Sequence, residues 1–164
     1  MTQHETQQDV TNQQAVMKIV TEWFQRLPCI GDNGEGFHHV EIPTVANHST
    51  PDFSLYWNHL RIGVVEIKCR NRDYDTWMID RTKMMTLYKD YFKKGIMAAI
   101  AFAHVEDGTI HQIYLADIRN LIACKDTWGK ASDEMMGTTN HGKDKRKESD
   151  EGFLLPRALF WKLM

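Results

Sequence analysis

The stretch STPDFSLYWNHLRIGVVEIKCRN, residues 49–71, decides the fold of this chain. Two apolar runs meet at a short polar turn, with Phe53, Leu55 and Trp57 alternating on the first arm and IGVVEIKC forming the second. Such alternation around a polar NHLR turn predicts a β-hairpin. Asp52, Glu66 and Lys68 sit inside it, although carboxylates and ammonium groups are poor strand formers and costly to bury. Side chains alternate across a strand, so Val64, Glu66 and Lys68 share one face while Gly63, Val65, Ile67 and Cys69 point the other way. Glu66 and Lys68 are then neighbours roughly 7 Å apart. Thirteen residues intervene between Asp52 and Glu66, and the hairpin can bring both to the same end of the same face.

Working outward, apolar residues recur at Val16, Val20, Trp23 and Leu27, widened by Met17, Ile19 and Phe24. That spacing predicts a helix over 13–27 with one buried face. The polar residues 1–12 are expected to be frayed. Pro28 and the glycines of GDNGEG stop the helix, and FHHVEIPT forms a short strand ended by Pro43. After the hairpin, TWMIDRTKMMTLYKDYFKKG (76–95) carries helical spacing through Met78, Met85, Leu87, Tyr88 and Phe92, with Gly95 as its C-cap. IMAAIAFAHV is expected as a buried strand, EDGT turns it into IHQIYLADI, and a short helix follows over 117–124. The segment 125–152 holds the mixed-charge run HGKDKRKESDEG and is expected as a mobile loop, whereas GFLLPRALFWKLM returns to the core. The order αβββαβ implies an α/β architecture with a mixed central sheet flanked by helices, and a parallel crossover after the long helix.

Bulk composition narrows the classes. The 164 residues suit a single domain, and 42% hydrophobic with 26% charged residues is a globular balance. The net charge of -2 gives no overall basic character, which leaves a local basic patch open. Cys29, Cys69 and Cys124 form no CxxC pair, which suits a reducing cytoplasm. The polar N-terminus is no signal peptide and no apolar run approaches a membrane span. No HxH, HExxH, P-loop or GxSxG pattern appears, so zinc hydrolysis, nucleotide-driven work and acyl transfer lack support.

Two carboxylates at one end of one sheet face repel each other and call for a cation. A hard divalent ion such as Mg²⁺ takes oxygen ligands, and the Ile67 carbonyl can add a third protein oxygen. Lys68 beside it can orient a water or stabilise charge developing on a phosphate. The bland alternative is an exposed Glu66–Lys68 pair on a solvated face, which leaves Asp52 unexplained.

Pro51-Asp52 followed by Glu66-Ile67-Lys68 resembles the motif of the PD-(D/E)xK nuclease superfamily, with its restriction-endonuclease-like αβββαβ core, over about residues 13–116. The resemblance implies Asp52 and Glu66 as metal-binding acids, Lys68 as the catalytic lysine, Mg²⁺ as cofactor with Mn²⁺ substituting, and DNA as substrate. Some members add an acid from the first helix, which points to Glu22, with Glu5 as a weaker alternative. Arg70 and Arg72, interleaved with Tyr74 and Trp77, are expected to contact phosphates flanking the cut, although packing is the preferred role for Trp77. Lys83, with Arg81 near it, matches a helix position that is basic in many members and is expected to contact nucleic acid from the surface, the alternative being a merely solvated helix cation. His38, His39 or His48 could supply a base near the hairpin. The expected activity is metal-dependent DNA hydrolysis, structure- or end-directed, of the kind found in small phage and resolvase-type nucleases, and a homodimer would suit duplex cutting. The alternative is a catalytically silent nucleic-acid-binding or assembly protein on the same fold.

Overall fold

A computed structural model describes residues 7–27, 36–43, 50–131 and 152–164. Its central sheet has six strands in the order β1-β2-β3-β5-β6-β9. These are β1 (Phe37–Glu41), β2 (Phe53–Trp57), β3 (Leu60–Arg70), β5 (Met97–Glu106), β6 (Thr109–Asp117) and β9 (Trp161–Lys162). A smaller antiparallel sheet, β4-β8-β7, joins β4 (Thr76–Asp80), β8 (Gly152–Pro156) and β7 (Gly129–Lys130). Within the central sheet β3 and β5 run parallel with Glu66 opposite Ile100, and the other neighbours are antiparallel. This is the expected mixed α/β architecture, with β4 of the smaller sheet inserted before α2 in the expected αβββαβ order.

Alternation along β3 divides the core. On one face the helix α1 (Gln7–Gln25) packs Val16, Met17, Val20 and Phe24 against Phe53, Leu55, Val65, Ile67, Ala99 and Ala101. The other face joins Val64, Ala98, Ile100 and Phe102 to Trp77, Ile79, Met84 and Leu87. The last two belong to α2 (Arg81–Thr86) and its wider-wound continuation Leu87–Tyr91. α3 (Ile118–Ala123), capped by Asp117, adds Ile118 and Leu121 to that second cluster.

Several boundaries differ from expectation, each for a local reason. α1 starts at Gln7, so residues 7–12 extend the helix rather than fraying from it. Its polar start is supported along the exposed surface by Gln8 Nε2 donating to Asn12 Oδ1 at 2.9 Å. The hairpin turn needs only Asn58 and His59, with Asn58 at φ 54, so Leu60 and Arg61 already pair in β3. Residues 76–80 form strand β4 and not the first turns of a helix, because Gly152–Pro156 supplies the ladder partner from the far end of the chain. The helix begins where the Asp80 carboxylate accepts from the Lys83 N–H at 2.6 Å. It ends, as expected, on Gly95 at φ 80. The C-terminal segment returns to the core through buried Leu155 and Phe160. Of 125–152, residues 125–131 form a turn of helix and β7; the run KDKRK, like Glu5, Pro28, Cys29 and His48, lies outside the described residues.

Candidate active site

The polar cluster forms where β3 outruns its partner β2. The last pair of that ladder is Phe53–Val65, leaving Glu66 onward unpaired on this edge. Asp52, immediately before β2, fills the opening: its Oδ2 accepts from the Ile67 N–H at 2.7 Å, while its carbonyl accepts from the Ile42 N–H at 2.8 Å. The N–H and C=O of a strand residue point toward the same edge, so the Ile67 carbonyl faces this opening as well.

Glu66 is fully buried. Lys68 Nζ lies 2.8 Å from its Oε1 and Lys83 Nζ lies 2.9 Å from its Oε2. Lys83 also donates to the Thr50 carbonyl at 2.7 Å, tying α2 to the segment that carries Asp52. Asp52, Glu66 and Lys68 are thus brought together, on the sheet face opposite α1. Glu66 is closed off from solvent, whereas Asp52 is half-buried and the Lys68 side chain is 26% exposed.

Burial sets the electrostatics. It pushes the Asp52 carboxyl up to about 7, with the neighbouring Glu66 charge adding to the rise and the two lysines and the Ile67 N–H opposing it. For Glu66 burial acts upward too, but the ammonium groups of Lys68 and Lys83 outweigh it and hold the carboxyl below its ordinary value. Burial acts to lower the Lys68 ammonium, and Glu66 with Asp52 more than reverses that. One carboxylate is therefore compensated and the other is held reluctant to ionise. A divalent cation would relieve that second charge, and two carboxylates with a strand carbonyl are the hard oxygen donors that Mg²⁺ or Mn²⁺ takes. The donor set fits the expected metal, although the described residues hold no cluster of three or more acidic, His or Cys side chains.

Two expectations are corrected. Glu22 does not join the cluster: it lines a recess with Lys18, Thr21, Gln25, Phe37, His38 and His39, beside the end of β1 remote from Asp52, and α1 covers the opposite sheet face. The α1 carboxylate at the Asp52 end is Asp9, which with Asp52 acts on Cys69, a thiol that burial first and foremost pushes up to about 12. Lys83 is not a surface cation for nucleic acid; it is 5% exposed and committed to Glu66 and Thr50. Its sequence signal was a lysine in the first turn of a helix, the unfavourable end of the helix dipole.

The remaining residues separate into rim and core. Arg70 is half-buried and donates from Nη1 to the Cys69 carbonyl at 2.9 Å, while Arg72 is exposed. Trp77 is in the core, stacked on Phe102 at 4.9 Å, and Tyr74 is 42% exposed against its edge. Arg157 holds the intervening loop through Asp73 at 2.7 Å and Asp75 at 2.9 Å. Arg81 is exposed on the first turn of α2. His38 stacks on Tyr56 and His39 Nδ1 meets the Thr21 hydroxyl at 2.7 Å, so neither stands at the carboxylates.

No protein-family model matches the sequence, and no curated protein matches it. Among solved structures, the chain is similar to the Holliday junction resolvase Hjc of Archaeoglobus fulgidus, with 11% identity over 92% of this chain and 85% of that one and a TM-score of 0.48. Likeness of this depth assigns neither family nor activity to this chain.

Proposed function

We propose that the chain is a divalent-metal-dependent nuclease that hydrolyses DNA phosphodiester bonds at the Asp52–Glu66–Lys68 cluster. The observation that carries this reading is the pairing of buried Glu66 with half-buried Asp52 at an open strand end, where burial and the Glu66 charge push the Asp52 carboxyl up to about 7. Asp52, Glu66 and the Ile67 carbonyl would hold the cation, which supplies Lewis-acid neutralisation of charge developing on the phosphate. Lys68 is the group that can leave Glu66 and turn to solvent, where its ammonium can orient the attacking water or meet a phosphate oxygen. Arg70 and Arg72, at the end of the same strand, offer charge to flanking phosphates. A structure- or end-directed substrate, as in recombination, repair or phage DNA processing, and a dimer acting in the cytoplasm complete the proposal. Among the described residues no helix is long and apolar enough to cross a membrane.

The test is cleavage of a supercoiled plasmid, a linear duplex and a four-way junction by wild type and Lys68→Ala, with Mg²⁺ or Mn²⁺ against EDTA. Metal-dependent cutting that drops on the order of a hundred- to a thousandfold in the variant is expected. The preferred DNA then identifies the substrate class. Equal inertness of both proteins on all three, with tight DNA binding retained, would favour a silent binding module instead.

A further inference from the structure

Glu66 is met by two ammonium groups that differ in everything but charge. Lys68 comes from the same strand and reaches solvent, with 26% of its side chain exposed against 6% for Lys83. Lys83 is fixed at both ends. The Asp80 cap on its own N–H sets the backbone, and the Thr50 carbonyl takes a second hydrogen bond from the ammonium. Asp52, Glu66, Lys68 and Lys83 together carry no net charge when all are ionised. Both oxygens of Glu66 already meet an ammonium, Oε1 that of Lys68 and Oε2 that of Lys83, so an ion that is to reach either oxygen has to displace one of them. Lys68 can move out into water. Lys83 would surrender its partners inside a packed layer of Met84, Leu87 and Val64, with no solvent to replace them.

We propose that Lys83 is a resident counter-ion that limits the site to a single, weakly held divalent cation. It keeps Oε2 of Glu66 occupied, so that Asp52 and the Oε1 side of Glu66, which Lys68 can vacate, are the groups that would hold an entering ion. This inference rests on the metal reading of Asp52 and Glu66 above. A fixed positive charge a few ångströms from a divalent ion in a partly desolvated site lowers affinity by a large factor. A lysine whose only task was to shape the site would raise affinity instead, by holding Glu66 ready. The two roles predict opposite signs.

The experiment is Ca²⁺ and Mn²⁺ titration calorimetry on wild type, Lys83→Gln, Lys83→Met and Lys83→Arg, with melting curves in EDTA and in saturating Ca²⁺. Gln keeps a donor for Thr50, Met keeps only the stem, and Arg keeps the charge. The Gln and Met variants are expected to bind Ca²⁺ roughly tenfold tighter or more than wild type. They should also admit a second Mn²⁺ per chain and gain more melting temperature from Ca²⁺ than wild type does, while Arg stays close to wild type. If Met or Gln folds only with Ca²⁺ present, the ion has replaced the lost charge and the proposal holds. Unchanged or weaker affinity in both variants, or failure to fold even in Ca²⁺, overturns it while leaving the metal reading intact. Absence of any binding by wild type and variants alike overturns both.

Discussion

The two faces of β3 are built from alternate residues of one strand and do opposite things. Toward α1 the strand presents Val65 and Ile67, which with Leu55, Ala99 and Ala101 form a layer of hydrocarbon. Toward α2 it presents Val64, Glu66 and Lys68, and the layer covering them contributes Lys83 as well as Met84 and Leu87. The first face secures the sheet through area removed from water. The second accepts buried charge, which stabilises little against well-packed apolar residues of similar volume. A strand that can be made of valine and isoleucine on one side has no structural need for a carboxylate on the other.

The largest effects should come from breaking the polar face unevenly. Glu66→Ala leaves the Lys83 ammonium buried without its carboxylate, and chemical denaturation is expected to show a loss of about 3–5 kcal/mol. Glu66→Leu combined with Lys83→Met removes both charges together, and its stability should return to within about 1 kcal/mol of wild type or exceed it. Activity should vanish in both. If the double variant is as unstable as the single one, the charges are structural and the contrast between the faces fails.

Ile67→Ala perturbs the other face alone. Its cavity should cost about 2–5 kcal/mol in the same measurement. Because the substitution keeps the backbone carbonyl, cation affinity in calorimetry should change little. A loss of affinity as large as that of Asp52→Asn would show that the faces are not separable.

The polar face should also carry its own pH signature. The folded Asp52 pKa, about 7, lies above its unfolded value, so between the two the folded state binds the extra proton. The contribution of this group is complete below the unfolded pKa, is lost progressively as pH rises to about 7, and changes no further above that. Thermal melting in EDTA should show this decline, and Asp52→Asn should flatten it. Cation affinity runs the other way, rising through about pH 7 because the ion must displace the proton.

How much of this could be read from residues alone follows from which interactions are local. The hairpin, its alternation and the Asp52–Glu66–Lys68 grouping depend on neighbours within about twenty residues and were legible. β4 was not, because Thr76–Asp80 finds its ladder partner at Gly152–Pro156. Lys83 was expected on the surface because helix cations usually are; only the carboxylate of β3, brought against α2 by the fold, explains its burial. Glu22 failed for a geometric reason. It shares α1 with Asp9 but stands thirteen residues further on, about 20 Å along the axis at helical rise. A place on the right helix is not a place at the right end of it.

The smallest expected effect belongs to the rim. Arg72→Ala should weaken DNA binding similarly across sequences and reduce the salt dependence of binding by about one ion's worth of slope, measured by fluorescence anisotropy at several ionic strengths. Arg157→Ala, which releases Asp73 and Asp75, should alter the melting temperature less than Ile67→Ala does.

The central claim is that the buried charges of β3 exist to hold a cation. Electron paramagnetic resonance of Mn²⁺ titrated into wild type and Asp52→Asn, at a pH well above 7, tests it without DNA. A saturable loss of the free-ion signal in wild type that disappears in the variant is the result predicted. Identical titrations of both proteins, with the ion remaining free, would contradict it.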